Sequence, residues 1–201
     1  MKFLALNKKR HAVKHFSDKE VDFKDVRTAI EIATLAPSAH NMQPWKFVVV
    51  KDRKEALAEL SYGGNGDQIR EAQYVIALFS DQDLDRRARK IARVGGVHNF
   101  TEEQLQKYMV NYPAEFACYS EQQKSDYLAL NAGLVAMNLV LALTDQGIGS
   151  NMLLGFDKSK VNEVLEVDSR FRPELLITVG YTEDMIEPSY RLPVDELIEK
   201  R

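Results

Sequence analysis

The sequence predicts a layered fold of the α+β or α/β class, in which helices cover a small sheet. Four short apolar segments have strand character and are separated by helical segments; they cover residues 46–50, 73–80, 147–156 and 174–181. Short apolar strands need cover, which the intervening helices supply. The run 127–143, "YLALNAGLVAMNLVLAL", is a helix that needs more cover than one small sheet offers. We therefore expect a homodimer that buries this helix between two copies.

Length and composition indicate one ordinary domain over residues 1–201. The chain is 45% hydrophobic and 28% charged. A net charge of −3 and a pI near 5.9 argue against nucleic-acid binding, which needs clustered cations. The single cysteine, Cys118, excludes an internal disulfide framework and a cysteine-based zinc site, and we expect no metal. The first residues lack the apolar run of a signal peptide, so we expect a cytoplasmic protein.

The first third of the chain predicts two helices. Residues 3–9 form a short one, and Asp22 is a suitable N-cap for the second, which ends before Pro37. One face of the second helix carries apolar residues at helical spacing, namely Phe23, Val26, Ile30 and Ala33.

The middle of the chain predicts a helix at 53–61, which the glycines of "GGNG" at 63–66 interrupt. Residues 83–119 are helical but more polar, with a break at 93–99. This segment is expected to leave the main core.

Three further helical segments are predicted: a long helix, a short helix and a single turn in the tail. The long helix is predicted at 124–146; Asn131 and Asn138 interrupt its apolar run, so we expect a helix buried on nearly all sides instead of a membrane span. Asp157 is predicted to cap a short helix ending at Val164, and the tail is predicted to be extended with one helical turn.

Four stretches concentrate polar groups that the fold pattern does not require. The first holds Arg10, His11 and Lys14. Arginine offers a planar fork and lysine a point charge, and both suit a phosphate. A solvated charged face is the alternative.

The second stretch, "APSAHNMQPWKFVVV" at 36–50, connects a helix to a strand. Its hydrogen-bonding side chains, bracketed by two prolines, predict a binding loop or, alternatively, a well-capped connection. They are Ser38, His40, Asn41 and Gln43, between Pro37 and Pro44.

The third and fourth stretches surround glycines. Asn65 and Gln68 carry groups that can read an imide-like edge, although a simple turn would also explain the glycines nearby. Gly155 would let a flat ligand approach the backbone, and Arg191 is either a phosphate ligand or part of a surface ion pair.

The chain has no recognisable catalytic dyad, metalloprotease helix or Walker-type loop. The sequence therefore favours a bound cofactor that carries out the chemistry. The scattered polar groups suit a mononucleotide, with a phosphate at one end and a heterocycle at the other.

These stretches resemble, in order, the motifs of the nitroreductase family of FMN-dependent oxidoreductases. The matching segments are "KRHAVKHF", "APSAHNMQPWKF", "NGDQIREAQYVIALF", "QGIGSNMLLGF" and "SYRLP", which span residues from about 10 to 193. The Pro-Ser and Asn-x-Gln-Pro-Trp loop is the most specific of them.

The resemblance implies an α+β homodimer with a mainly antiparallel sheet and two FMN sites at the interface. One chain would supply Arg10, His11, Lys14, Asn65, Gln68, Arg191 and the backbone of Leu154 and Gly155. The other chain would supply the loop with Pro37, Ser38, His40, Asn41 and Gln43. In this scheme Arg10 and Arg191 hold the phosphate, and Lys14 lies where negative charge grows on reduction.

The implied reaction is a ping-pong hydride transfer from NAD(P)H through flavin N5, supported by Lys14 and Gly155. Electron-poor small molecules would accept the hydride: nitroaromatics, quinones, enones or flavins. Residues 83–119 would cover the site, with Tyr108, Phe116 and Tyr119 lining it or simply packing the helices together. A flavin carrier or sensor without turnover, and a dimeric scaffold without flavin, are the alternatives.

Some residues depart from the family pattern. Ala12, Gln68 and Ser189 each lack a donor or a charge that relatives have, which predicts weaker FMN binding by about 1–3 kcal/mol per buried charged contact. Leu154 makes one wall apolar. A basic cluster could be a solvated helix face or could bind an anionic acceptor or the NADPH 2′-phosphate; it comprises Arg86, Arg87, Arg89, Lys90 and Arg93.

Overall fold

The computed structural model describes residues 2–185 and 189–201 and contains one four-stranded sheet. The strand order is β1-β2-β4-β3, and each of the three pairings is antiparallel. The strands are β1 (Trp45–Val50), β2 (Tyr74–Asp81), β3 (Gly149–Leu153) and β4 (Phe171–Gly180). The predicted α+β class with a mainly antiparallel sheet is therefore confirmed.

Nine α-helices lie in the described part of the chain. They are α1 (Phe3–Lys9), α2 (Phe23–Ala33), α3 (Lys54–Glu59), α4 (Asn65–Glu71), α5 (Leu84–Val97), α6 (Glu102–Gln106), α7 (Tyr112–Ala117), α8 (Glu121–Asp145) and α9 (Lys158–Leu165). A π-helical turn at Lys107–Asn111 joins α6 to α7. Pro113, two residues after this turn, lacks the N–H that would continue an α-helical ladder.

Helices cover both faces of the sheet because side chains alternate along each strand. On β2, Ile76 and Leu78 pack with α2 and α8 on one face. Val75, Ala77 and Phe79 point the other way and pack with α3, α4 and α9. The two central strands are therefore buried on both sides, which explains why the runs at 74–79 and 175–179 are almost entirely apolar.

The long helix α8 begins at the Ser120 capping box, in which the Ser120 hydroxyl accepts from the backbone N–H of Gln123. One side of α8 packs into the core. The single chain leaves a second apolar stripe of the helix uncovered, so its predicted burial on nearly all sides, between two copies, stays a prediction. Leu130 is 66% exposed, Leu134 39% and Met137 37%, at helical spacings of four and three.

By length and composition α8 could cross a membrane, but 56% of its most apolar 18-residue stretch is buried in the protein. Its inner side contacts α2, the sheet and α1. It is therefore a core helix with an additional uncovered face.

Other elements differ from the predictions in specific ways. Helix α4 follows directly after Gly64 and was not predicted, because the glycines indicated only a break. Helix α5 continues to Val97 through the predicted break; Gly95 is needed there because a Cβ would lie 2.3 Å from the Phe100 ring. Phe23, predicted on the buried face of α2, is 53% exposed.

The predicted caps and tail agree with the structure where it describes them. Asp22 and Asp157 accept hydrogen bonds from Lys24 and Ser159 at the starts of α2 and α9. The tail has one helical turn at Val194–Glu196, and residues 187 and 188 of the predicted tail lie outside the described residues.

The segment from α5 to α7 forms its own small core beside the sheet. Leu84, Ala88, Tyr108 and Phe116 are buried there with Met42 of the loop before β1. The predicted excursion at 83–119 thus packs directly on the polar loop.

Candidate functional site

Four predicted site residues, Asn65, Gln68, Leu154 and Gly155, lie beside or just after β3. Together with Asn151 of β3, which was not predicted, we call them the β3 wall. The Asn65 side-chain amide donates to the Gly155 carbonyl at 3.0 Å. The Asn151 amide donates to Gln68 Oε1 at 2.7 Å. These bonds fix two amide side chains of α4 against the strand and the residues that follow it.

Gly155 has a direct structural reason to be glycine. A Cβ at this position would lie 2.8 Å from Asn65 Nδ2, too close for an undisturbed amide. Its neighbour Leu154 is 70% exposed and presents an apolar surface beside the two amides. The wall therefore combines hydrogen-bonding groups with a flat, open surface.

The N-terminal cationic motif runs beside the β3 wall. The Val13 N–H donates to the Ser150 carbonyl at 3.1 Å, and the Ser17 N–H donates to Tyr181 at 2.8 Å. Within the described part of the chain, neither Arg10 nor Lys14 forms an ion pair. The motif thus carries two positive charges that no described carboxylate pairs with.

A groove of about 520 Å³ connects this motif to the tail. It is lined by His11, Ala12, Lys14, Asp184 and Ser189, among others. Arg191, two residues beyond Ser189, is exposed and donates to the carbonyl of Tyr190 at 2.7 Å. Its role as a phosphate ligand stays a prediction.

The second group is the polar loop Ser38–Gln43 after Pro37, which we call the loop wall. His40, Asn41 and Gln43 have positive φ angles of 55°, 51° and 46°. Such angles cost non-glycine residues about 1–2 kcal/mol each, so surrounding contacts must hold them. Within the loop, the Ser38 hydroxyl accepts from the Gln43 N–H at 2.9 Å.

Three side chains from α8 and the π-helical turn hold the loop wall. Tyr127 and Tyr108 donate their hydroxyls to the carbonyls of Ala39 and His40 at 2.7 and 2.8 Å. The Asn131 side chain accepts from the Ala39 N–H at 2.9 Å. Burial raises the pKa of both tyrosines, so the hydroxyls remain donors. Asn131 was visible in the sequence as a polar residue inside an apolar run.

Arg87 is the strongest support of the loop wall. Its guanidinium donates to the carbonyls of Met42, Gln43 and Trp45, with Nε 2.9 Å from the Gln43 oxygen and Nη2 3.0 Å from the Trp45 oxygen. Burial lowers the pKa of Arg87 and nearby Asp81 raises it, and an arginine stays charged at neutral pH.

The basic cluster predicted on α5 is therefore not one unit. Arg87 faces inward to the loop, whereas Arg89 is exposed and pairs with Asp85 at 2.9 Å. No sequence signal distinguishes Arg87 from the arginines beside it.

An aromatic cluster lies behind the loop wall. The His40 ring is 4.4 Å from that of Tyr112 and 5.8 Å from that of Phe116, and its Nε2 is 3.6 Å from Glu115 Oε2. In its own chain, His40 thus supports the loop from behind. Its contact with a cofactor stays a prediction.

The three predicted lining aromatics belong to this cluster. Tyr108 and Phe116 are only 8% and 4% exposed, which favours the packing alternative for both. Tyr119 is more accessible and donates to Glu115 at 2.8 Å. Burial and then this hydrogen bond raise the pKa of Tyr119 to about 12.

The two walls belong to opposite edges of the sheet. β3 is one edge strand, and the loop wall leads directly into β1, the other edge strand. Three strand spacings of about 4.8 Å, roughly 14 Å in all, separate these edges. Within one chain, a gap of this order therefore separates the two walls.

Comparisons with known proteins agree on one family. The Nitroreductase family model matches residues 8–181. A Streptococcus pyogenes serotype M6 protein, Spy0809, named as an NAD(P)H nitroreductase, is 62% identical over 201 residues, with both chains covered in full. A crystal structure of a nitroreductase family protein from Streptococcus pneumoniae TIGR4 is 77% identical, with a TM-score of 0.97 and full coverage of both chains.

A more distant structure is described as an NAD(P)H:FMN oxidoreductase from Staphylococcus epidermidis. It is 29% identical, has a TM-score of 0.89, and the alignment covers 100% of this chain and 96% of that one. The same fold is thus retained at much lower identity. Because the family model covers most of the chain and a full-length relative is 62% identical, the protein belongs to the nitroreductase family.

Proposed function

We propose that the protein is an FMN-dependent oxidoreductase that transfers a hydride from NAD(P)H to an electron-poor acceptor. The overall reaction is NAD(P)H + H⁺ + A → NAD(P)⁺ + AH₂, where A is the acceptor. The β3 wall and the cationic motif beside it carry this proposal, because they bring amides, a glycine and two cations that form no ion pair with any described residue to one strand edge. The names of the Streptococcus pyogenes and Staphylococcus epidermidis relatives support it.

The residues present fit FMN at both ends. Arg10 and Lys14 have no internal ion-pair partner within the described residues and suit a phosphate and an electron-rich ring edge. Because Gly155 has no side chain, the Asn65 amide packs directly against the backbone of the wall, where it would hydrogen-bond a pyrimidine edge.

The chain's own groups would act mainly by binding and charge stabilisation. Bound FMN supplies the hydride chemistry. Lys14 would stabilise negative charge that develops on reduction, without giving up a proton. The apolar surface of Leu154, which is largely exposed, would help exclude water from the flat slot above it.

The proposal includes a homodimer in which each site combines the β3 wall of one chain with the loop wall of the other. Support comes from the uncovered stripe of Leu130, Leu134 and Met137 on α8, and from the opposite positions of the two walls. Leu35 and Phe3, beside this stripe, are also largely exposed. A contiguous apolar surface of this kind is typical of a subunit interface.

The proposed acceptors are nitroaromatics, quinones, enones and flavins, since each is flat and electron-poor. We also propose that 1–201 act as one domain, that 83–119 cover the site, and that the protein works in the cytoplasm. The exposed thiol of Cys118 fits a reducing compartment.

Anaerobic reduction tests the proposal directly. Purified protein is loaded with FMN, and the flavin absorbance is followed in a stopped-flow instrument after addition of NADH or NADPH. The expected result is rapid bleaching with at least one donor, and recovery of the absorbance when a quinone is added. Bound flavin that stays oxidised with both donors would leave a carrier or sensor and contradict the proposal.

A variant sharpens the same experiment. Lys14→Gln removes the charge and keeps a side chain of similar length, so flavin reduction should slow about tenfold for about 1.4 kcal/mol of lost charge stabilisation. Lys8→Gln, on the exposed face of α1, is the matched control and should reduce at the normal rate.

A further inference from the structure

A second cavity lies between the loop wall and α5, and we call it the cap pocket. It has a volume of about 320 Å³ and is lined by Asn41, Gln43, Arg87, Lys90, Ile91, Val94, Gly95, His98 and Phe100. This volume is at the lower end of the range for small-molecule sites. The pocket is separate from the groove beside the cationic motif.

The charge of the cap pocket has one sign. Among the described residues, its lining includes the cations Arg87 and Lys90 and the imidazole of His98, and no carboxylate. The Lys90 ammonium makes no ion pair with any described residue, whereas Arg89 beside it is paired with Asp85. A lysine held at a cavity without a counter-ion favours an anionic occupant.

Part of the lining is apolar. Ile91, Val94 and Phe100 contribute apolar groups to the cavity. A small molecule with an apolar or aromatic body and one anionic group would match both the cationic and the apolar groups of the lining. Inorganic ions alone would leave the apolar groups unused.

The cap pocket adjoins the proposed site through the loop wall. Asn41 and Gln43 line the pocket and also belong to the loop that faces the cofactor in the proposed dimer. Arg87 fixes the backbone at this point by donating to the Gln43 carbonyl. A molecule bound here would therefore extend from the cap toward the place where an acceptor is reduced.

We propose that the cap pocket binds the anionic group, a carboxylate or a phosphate, of the small molecule that reacts at the site, with Lys90 as the main charge partner. This inference rests on the proposed function and adds a substrate class to it. The anion has two possible sources, a carboxylate of the acceptor or the 2′-phosphate of NADPH. The same lysine would select for either one.

The experiment uses the FMN-loaded protein and two acceptors that differ mainly in charge, 4-nitrobenzoate and 4-nitrobenzamide. The value of kcat/KM is measured for each with saturating NADH, and then for NADH and NADPH with the neutral acceptor. Lys90→Gln removes the charge and Lys90→Arg keeps it. Arg93→Gln removes an exposed charge from the same helix outside the pocket and serves as the control.

Lys90→Gln should lower the benzoate-to-benzamide ratio of kcat/KM about three- to fivefold, the weight of a partly exposed ion pair. Lys90→Arg should restore the ratio, and Arg93→Gln should leave it unchanged. A fall in the NADPH-to-NADH ratio instead would assign the anion to the 2′-phosphate. Unchanged ratios, or an equal effect of Arg93→Gln, would overturn the proposal.

Calorimetric binding of 4-nitrobenzoate to the FMN-loaded protein separates this inference from the proposed function. It requires no turnover, and Lys90→Gln should weaken it by the same factor. If the protein binds 4-nitrobenzoate in a Lys90-dependent way but does not oxidise NAD(P)H, only the proposed oxidoreductase activity is refuted. Turnover without any Lys90 dependence would refute only the cap pocket.

Discussion

The β3 wall and the loop wall achieve order in different ways. The β3 wall follows a strand whose backbone is fixed by the sheet, and its amides pair with neighbours on α4 and β3. The loop wall has three residues with positive φ and depends on side chains from outside the loop, above all Arg87. Regular pairing is sufficient for the first wall, whereas the second needs dedicated polar anchors.

The difference shows where each wall is vulnerable. A change on the β3 wall alters what faces the ligand and leaves the backbone in place. A change in an anchor of the loop wall alters the backbone itself, although the anchor never faces the ligand. Substitutions that act on one wall, or on the interface that joins them, separate these effects.

The largest effect is expected from separating the walls. Leu134→Glu places a charge in the uncovered stripe of α8, twice per dimer, and should raise the dimer dissociation constant at least 100-fold, or about 3 kcal/mol. Sedimentation equilibrium should then detect the monomer of 22.9 kDa at micromolar concentration.

Val97→Glu is the control for this change, since Val97 is 78% exposed on α5, away from the stripe. It should remain dimeric. A dimeric Leu134→Glu protein would show that α8 does not form the interface.

The next effect is expected in the loop wall. Arg87→Met keeps the apolar stem but removes the donors to the Met42, Gln43 and Trp45 carbonyls. The free energy of unfolding should fall by about 2–4 kcal/mol, and FMN binding should weaken as well. Urea unfolding measures the free energy of unfolding, and fluorescence titration measures FMN binding. Arg86→Met, an exposed neighbour, should change neither; equal losses in both variants would remove the special role of Arg87.

The smallest effect is expected on the β3 wall. Gly155→Ala pushes the Asn65 amide away while the sheet stays intact, so FMN should bind about five- to tenfold more weakly, or about 1 kcal/mol. Stability should change by less than about 1 kcal/mol. Gly64→Ala meets no atom within 4 Å and has a φ of −76°, so it should bind FMN normally. A large loss of stability in Gly155→Ala would mean that the glycine serves packing and not the site.

Much of the fold followed from the sequence because its signals are local. The apolar, β-branched runs form strands, and Asp22 and Asp157 are helix N-caps, as predicted. The order of the motifs predicted the family, and residues 8–181 match its model. Helix α4 was not predicted, because Gly64 and Gly66 indicated a break in the chain. In the structure the helix forms there, and its Ile69 side chain is buried in the core.

The remainder depends on contacts between distant residues. Helical spacing shows that α8 is apolar but not which stripe the same chain covers, so the exposure of Leu134 was not visible. Charge patterning could not reveal that Arg87 reaches the Gln43 carbonyl while Arg89 pairs with Asp85. The inward packing of His40 depends equally on residues from a separate helix.

Mixed dimers test most directly the claim that each site joins the β3 wall of one chain to the loop wall of the other. One chain carries Arg10→Glu with Lys14→Glu, in the cationic motif that is bonded to β3 beside the β3 wall. The other carries Ser38→Ala with Asn41→Gly, where glycine keeps the positive φ of 51°. Each homodimer should bind FMN poorly, because both of its sites are defective. The purified mixed dimer should bind one FMN at normal affinity, since one site receives both defects and the other receives none. A mixed dimer without any normal site would place both walls of each site in one chain and contradict this account.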